Sequence, residues 1–504
     1  MSVLTAPHID YPGISPLIAL TAGTCVTLLA GLLPRGTGRA MSVTAALLTL
    51  ATALGLTVWQ LGDSKSLVEG ALRSDDLALS LDLLFYIAAA VALVLSLRER
   101  PHLPTSLADY SALLLASVTG MVVLAGATNL VTLFLGIELL SIPLYVMCAL
   151  DLHRRTSLEA GLKYLVIGSV GSATLLYGLA FIYGATSSTD FDEIARSIEG
   201  SGIIGDPLLL TGIALAAAGL AFKASVAPFH QWTPDVYQGA PTSVTAFMAV
   251  ATKAAAFAIL LRLFDVALLP AKDDWDVALA ALAVATIAIG NVGAIGQDSL
   301  KRMLAYSGVA QAGYMLAGVV VGTSLGVKAT VFYLLVYMLM NMAAFAVVIA
   351  RERETMLGDH IDAVAGLGTS RPLLGWPLTI SMLGLAGIPV TAGFIGKFFL
   401  IEASVEGDFT WLGIAIVVGS MLSLAYYLRV IAAVWMREEP AATLVPVMAG
   451  GSPEADPQPP SAPLPAAPET IAVACVMGAA TIFFGIIPGP LLDIASDAGR
   501  ALGL

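Results

Sequence analysis

"AFKASVAPFHQW", Ala221 to Trp232, breaks the pattern of the chain around it. A lysine interrupts an apolar run, a proline follows five residues later, and a histidine two residues after that. Proline removes a backbone donor and clashes with the preceding helical turn. A charged side chain deep in hydrocarbon is costly unless it faces protein or water. The stretch therefore reads as a helix broken inside a membrane. Pro228 is expected to free the carbonyl of Ala224, beside Lys223, and Pro234 and Pro241 keep the next segment irregular. A second stretch repeats the device. In "LAGIPVTAGFIGKFF", Leu385 to Phe399, Gly387, Pro389, Gly393 and Gly396 loosen a helix just before Lys397, and Pro389 frees the carbonyl of Leu385.

The composition agrees. The 504 residues are 58% hydrophobic and only 12% charged, where a soluble domain carries about 25%. The apolar runs approach the roughly 20 residues needed to cross a bilayer. The net charge of −12 comes from acids clustered in a few loops, such as Asp190 to Glu199. No basic stripe exists, which excludes nucleic acid as a partner. Cys25, Cys148 and Cys475 lie in apolar spans without metal-ligand spacing and read as small core residues. No iron–sulfur, haem or flavin motif is visible, so no cofactor is expected in this chain. The first apolar span lacks the basic flank of a signal peptide and is expected to be a retained helix.

The runs predict an all-α polytopic membrane protein with about fourteen transmembrane helices, the seventh and twelfth interrupted. Two broken helices five apart imply two inverted five-helix repeats, because an odd number of crossings reverses direction. The expected organisation is an N-terminal three-helix unit over residues 1–108, a first five-helix repeat over 109–268 and a second, inverted one over 269–437. A Pro/Ala-rich linker follows over 438–470, then a last helix in 471–504. Most loop Lys and Arg, among them Arg35, Arg39, Arg154, Arg155, Lys301, Arg351 and Arg437, fall on one side. By the positive-inside rule both termini lie outside, on the periplasmic side in a bacterium.

Charges near helix ends reach the interface and need no further role. Lys163, Lys328, Arg262 and Arg429 fit that reading. Four others do not. Glu138 lies nine residues past Asn129 and Lys253 eleven past Thr242, depths of roughly 14 and 16 Å. Lys223 and Lys397 sit beside the two interruptions. Such residues mark ion pathways, or else lock helices together as buried ion pairs. Three lysines to one glutamate leave cations without partners and weaken the second reading. Lysine suits proton transfer because burial lowers its affinity for a proton and a nearby carboxylate raises it; arginine never deprotonates. His230, in the irregular segment, is a candidate relay.

At these residues the chain resembles the antiporter-like membrane-arm subunits of respiratory complex I, the proton-pumping NADH–quinone oxidoreductase, and subunit N most of all. "FLGIELLSIPLYVMCAL" (134–150), "FKASVAPFHQWTPDVYQGAPTSVTAFMAVATKAAAFA" (222–258), "QDSLKRMLAYSGVAQAGYM" (297–315) and "LAGIPVTAGFIGKFF" carry the likeness, which covers about residues 80–435. The resemblance implies that Glu138 and Lys223 form the charge pair of a first half-channel. It makes Lys253 the connecting residue and Lys397 the lysine of a second half-channel. Lys397 favours N over subunit M, where a glutamate is typical. Where many relatives have histidine this chain has Gln311, which cannot titrate, so Tyr306 or water is expected to bridge. The resemblance further implies partners in subunit M and in small subunits such as K, within a lipid bilayer. FMN and iron–sulfur clusters belong to other subunits, with NADH and quinone as substrates of the complex. The competing readings are a subunit of a multi-subunit sodium/proton antiporter and a scaffold whose charges only hold helices together.

Overall fold

Hydrocarbon offers the backbone no hydrogen-bond partner, so each apolar run must satisfy itself as helix. The computed structural model describes residues 9–97, 99, 107–439 and 464–504. Most of the expected linker, 440–463, lies outside the described residues. The first half holds α1 (Tyr11–Gly31), α2 (Arg35–Gln60), α3 (Asp76–Ser96), α4 (Leu107–Ala125), α5 (Leu130–Cys148), α6 (Arg155–Thr186), α7 (Phe191–Ser201), α8 (Pro207–Ala224), α9 (Trp232–Gly239), α10 (Thr242–Phe247) and α11 (Lys253–Arg262). The second holds α12 (Lys272–Ile295), α13 (Leu300–Val321), α14 (Ser324–Glu354), α15 (Leu367–Ser370), α16 (Pro372–Ala386), α17 (Ala392–Glu406), α18 (Thr410–Met436), α19 (Pro468–Ile486) and α20 (Gly489–Ala501). A two-stranded antiparallel hairpin, β1 (Lys65–Leu67) and β2 (Leu72–Ser74), links α2 to α3.

Thirteen of the described helical stretches are long and apolar enough to cross a membrane. The half-helices α16 and α17 together make the expected fourteenth. One of the thirteen, Thr242–Ala267, is composite: π-helical turns at Met248–Thr252 and Leu263–Ala267 flank α11. The last span is shorter than the apolar run suggests. α19 stops at Ile486, and Pro488 begins the turn into α20.

The two interruptions share one cap geometry. α8 ends at Ala224 because Ser225 turns left-handed (φ 63°), and the Val226 N–H bonds the Ala221 carbonyl at 2.8 Å. α16 ends at Ala386 because Gly387 turns left-handed (φ 84°), and the Ile388 N–H bonds the Leu383 carbonyl at 3.0 Å. Both are Schellman caps, which stop a helix while satisfying its last carbonyls. This corrects the expectation that the prolines make the breaks. Pro228 lies beyond the helix end, so it takes no partner from Ala224. At the second break the Leu385 carbonyl is left over as expected, and side chains claim it.

Burial is graded across the bundle. Every residue in the apolar windows of Thr242–Ala267 and α14 is buried, whereas only about a third are in those of α1, α6 and α18. The outer helices expose Leu29, Val170 and Met421, as lipid-facing surfaces do. A helix with no lipid face is where a charge costs least, and Lys253 lies on such a helix. Arg262 departs from its expected place at the interface. It is 2% exposed and pairs with Asp75, the N-cap of α3, at 2.6 Å. Its Nε donates to the Ala125 carbonyl at 2.5 Å. Arg262 does lie near the end of its span, but α3 and α4 cover that end, so the side chain is held by protein rather than by water.

Candidate functional site

Lys223 sits in the last turn of α8, where cations complement the helix dipole. α8 packs closely on α6 because glycines line the seam. A Cβ at Gly178 would overlap the Ala216 backbone, and one at Gly212 would come within 2.9 Å of the Ile182 nitrogen. That approach brings Tyr164 of α6 to Lys223. The ammonium donates to Tyr164 OH at 3.0 Å and to Ser141 Oγ of α5 at 2.6 Å. It also lies over the Tyr164 and Tyr145 rings, 5.1 and 5.9 Å from their centroids. Trp232, at the start of α9, stacks on Tyr164 and donates its indole N–H to the Phe222 carbonyl at 3.1 Å. The irregular segment thus closes the cage around the lysine.

Glu138 is one helical turn from Ser141 on α5, but it forms no ion pair with Lys223 within 4 Å among the described residues. Its Oε1 is buried without a hydrogen-bond partner. The expected charge pair is therefore not a contact pair. A hydroxyl takes the position of direct acceptor, and the carboxylate acts on the lysine only across space.

Lys253 is fully buried and its Nζ has no hydrogen-bond partner among the described residues. The hydroxyl of Tyr337 on α14 is likewise buried and unpartnered. Both converge on Gly308 of α13: a Cβ there would meet Tyr337 OH at 3.0 Å and Lys253 Nζ at 3.5 Å. Two unsatisfied polar groups facing a position without a side chain suit an ordered water. The π turn before Lys253 adds to this, since such turns are rare and often mark functional positions.

Lys397 is carried on the second half of its broken helix, not the first. Its Nζ reaches back to the leftover carbonyls of Leu385 and Ala386, at 2.9 and 3.0 Å. The Tyr314 ring lies 4.8 Å beneath it. Gln311 donates to the same Leu385 carbonyl at 3.1 Å and to Tyr427 OH at 3.3 Å, and accepts from Tyr333 OH at 2.5 Å. Tyr427 OH in turn meets Ser307 Oγ at 2.5 Å. Gln311, although it does not titrate, is the hub of the polar network around Lys397.

His230 is buried with Nδ1 unpartnered, and its ring lies 6.4 Å from that of Tyr306. Tyr306 is half-buried and covered by the guanidinium of Arg302, 6.0 Å from its centroid. The two candidate relay residues are therefore neighbours, but Tyr306 makes no hydrogen bond to Lys253 or Lys397. Sequence reading missed Ser141, Tyr164, Ser307, Tyr333, Tyr337 and Tyr427. The available signal was hydroxyl residues spaced along otherwise apolar helices, with Ser141 three residues after Glu138. Lys163 and Arg429 behave as end charges: Lys163 pairs with Glu159 and Asp235 and Arg429 with Asp298. Lys328 lies over the Phe399 ring, 5.2 Å from its centroid.

A family profile described as NADH:quinone oxidoreductase/Mrp antiporter, TM, matches residues 127–423, more than half of the chain and all four charges above. A NADH-quinone oxidoreductase subunit N from Desulforamulus reducens is 39% identical over 98% of this chain and 98% of its own. The chain belongs to the NADH-quinone oxidoreductase subunit N family. Among solved structures, a chain of respiratory complex I from Thermus thermophilus is similar at 32% identity. It has a TM-score of 0.77, with 95% of this chain and 99% of that chain covered. A chain of the Mrp complex from Dietzia sp. superposes with a TM-score of 0.81 at 23% identity, over 96% of this chain and 97% of that one. At that identity the likeness extends to the fold alone.

Proposed function

We propose that this chain is a proton-translocating membrane-arm subunit of NADH–quinone oxidoreductase, driven by electron transfer elsewhere in the complex. The observation that carries the reading is the surroundings of the three buried amines. Lys223, Lys253 and Lys397 have hydroxyls, carbonyls and rings around them and, among the described residues, no carboxylate within ion-pair distance. An ammonium so placed exchanges its proton more readily than one in an ion pair, because no carboxylate in contact fixes its charge. The proposed roles are proton transfer for Glu138, Lys223, Lys253 and Lys397, and relay for His230 and Tyr306. Glu138 sets the proton affinity of Lys223 through space. NADH and quinone are handled, and FMN and iron–sulfur clusters held, by partner subunits. Subunit M and small subunits such as K are the expected membrane neighbours. The chain contributes to a translocase without a redox centre of its own.

We further propose that spans four to eight and nine to thirteen are inverted repeats. The chain lies in the bacterial plasma membrane with both termini outside. The test is proton pumping per NADH by the assembled enzyme in vesicles, with Lys223→Ala and Glu138→Ala. Loss of pumping with assembly retained supports the roles, and undiminished pumping overturns them. Purification from native membrane separates the sodium/proton antiporter alternative, which predicts no co-purifying flavin or iron–sulfur subunits.

A further inference from the structure

The three N-terminal helices take no part in the network above, yet α3 and its N-cap hold two buried carboxylates, Asp82 and Asp75. Asp82 lies on α3, two turns past the N-cap Asp75. It is 4% exposed, and its Oδ1 has no hydrogen-bond partner among the described residues. A buried carboxylate left so is unstable unless water or a proton satisfies it. The structure supplies the space. A cavity of about 30 Å³ is lined by Asp82, Gln60, Ser74 and Arg73 among apolar neighbours from α1 and α4, room for one or two waters. Its rim is the β1–β2 hairpin: Ser74 and Gln60 are buried, while Arg73 is half-exposed and pairs with Asp192. At the hairpin end of α3, the Asp75–Arg262 pair lies within electrostatic reach of Asp82. Arg262 ends α11, nine residues after Lys253, about 14 Å along the helix.

We infer that Asp82 is a proton-exchanging carboxyl group, open to water from the hairpin face through this cavity, at the end of the buried axis that begins at Lys253. The inference rests on the proposed function and deepens it, because both termini outside would put the hairpin outside too. The exchange is simple: Asp82 takes a proton from a hydronium ion in the cavity, leaving water, and returns it by the reverse step. A metal ion fits poorly. Asp82 is the one carboxylate lining the cavity, and the guanidiniums of Arg73 at the rim and Arg262 nearby repel a cation. Arg262 does not itself pass protons. Paired with Asp75, it fixes the charge beside Asp82.

Two experiments on the assembled enzyme test this. In the first, Asp82→Asn is compared with Asp82→Glu and Glu138→Gln for proton pumping per NADH in vesicles, with electron transfer to an artificial acceptor as the assembly control. The expected result is loss of pumping in Asp82→Asn and its retention in Asp82→Glu. Normal pumping in Asp82→Asn beside a defective Glu138→Gln overturns this inference and leaves the proposed function standing. Normal pumping in both overturns both. In the second, Arg73→Cys, at the half-exposed rim of the cavity, is introduced after Cys25, Cys148 and Cys475 are replaced by alanine. A membrane-impermeant maleimide is then applied to intact cells and to inside-out vesicles. Labelling from the outside alone is expected. No labelling, or labelling from the inside alone, overturns the inference even where Asp82→Asn fails to assemble.

Discussion

At the scale of single residues, the site is defined by what stands next to each amine. Lys223 donates to two hydroxyls, and each can be removed without changing the charge. Ser141→Ala leaves a buried ammonium short of one acceptor, a cost of about 1–3 kcal/mol. Pumping is expected to fall while assembly survives, and Ser141→Thr is expected to restore it. Equal pumping in Ser141→Ala and the parent enzyme would show that the hydroxyl is only packing. Gln311 makes the same point from the other direction. Its amide joins the Leu385 carbonyl, Tyr427 and Tyr333, so Gln311→Leu orphans several groups at once. A loss of stability of about 1–3 kcal/mol is expected in thermal unfolding of the detergent-solubilised complex. Depth along a span is countable in the sequence, which is why the four charged positions were legible there. Which hydroxyl faces which amine depends on helix rotation and packing between distant segments. Ser141 and Lys223 are 82 positions apart, and no spacing rule joins them.

At the scale of elements, the two breaks share a cap and differ in where the lysine sits. In α8 the lysine precedes the break and turns outward to neighbouring helices. In α17 it follows the break and folds back onto the carbonyl end of α16. Proline and glycine made both interruptions visible in the sequence. The left-handed residue that ends each half-helix was not visible at Ser225, because serine announces no positive φ. The difference gives an asymmetric expectation. Gly387→Ala forces a left-handed alanine, costing about 1–2 kcal/mol. It also brings a Cβ within 2.9 Å of the Lys397 side chain. Ser225→Gly relieves a left-handed position but removes the Oγ that accepts from Thr233 Oγ1 at 2.9 Å, so the two effects oppose and a small net change is expected. Thermal unfolding of the two variants decides this. A Gly387→Ala as stable as its parent would refute the cap as the cause of the break.

At the scale of the whole molecule, the buried charges form two groups of different kind. Amines without a carboxylate partner occupy the middle of the bundle, and at the hairpin end Arg262 pairs with Asp75, with Asp82 within electrostatic reach. The sequence could not disclose this second group. Asp75 and Arg262 each look like ordinary helix-end charges, and only the packing of α3 and α4 over that end buries them. Their pairing makes a sharp prediction. Removing one partner of a buried ion pair strands the other, at a cost of about 3–5 kcal/mol, whereas replacing both with apolar residues of similar size is close to neutral. Asp75→Leu alone and Arg262→Met alone are therefore each expected to lower the unfolding temperature of the complex, and the double variant to recover most of the loss. If the pair serves only to lock α3 against α11, the double variant pumps normally. If it also fixes the charge beside Asp82, stability returns in the double variant and proton pumping does not.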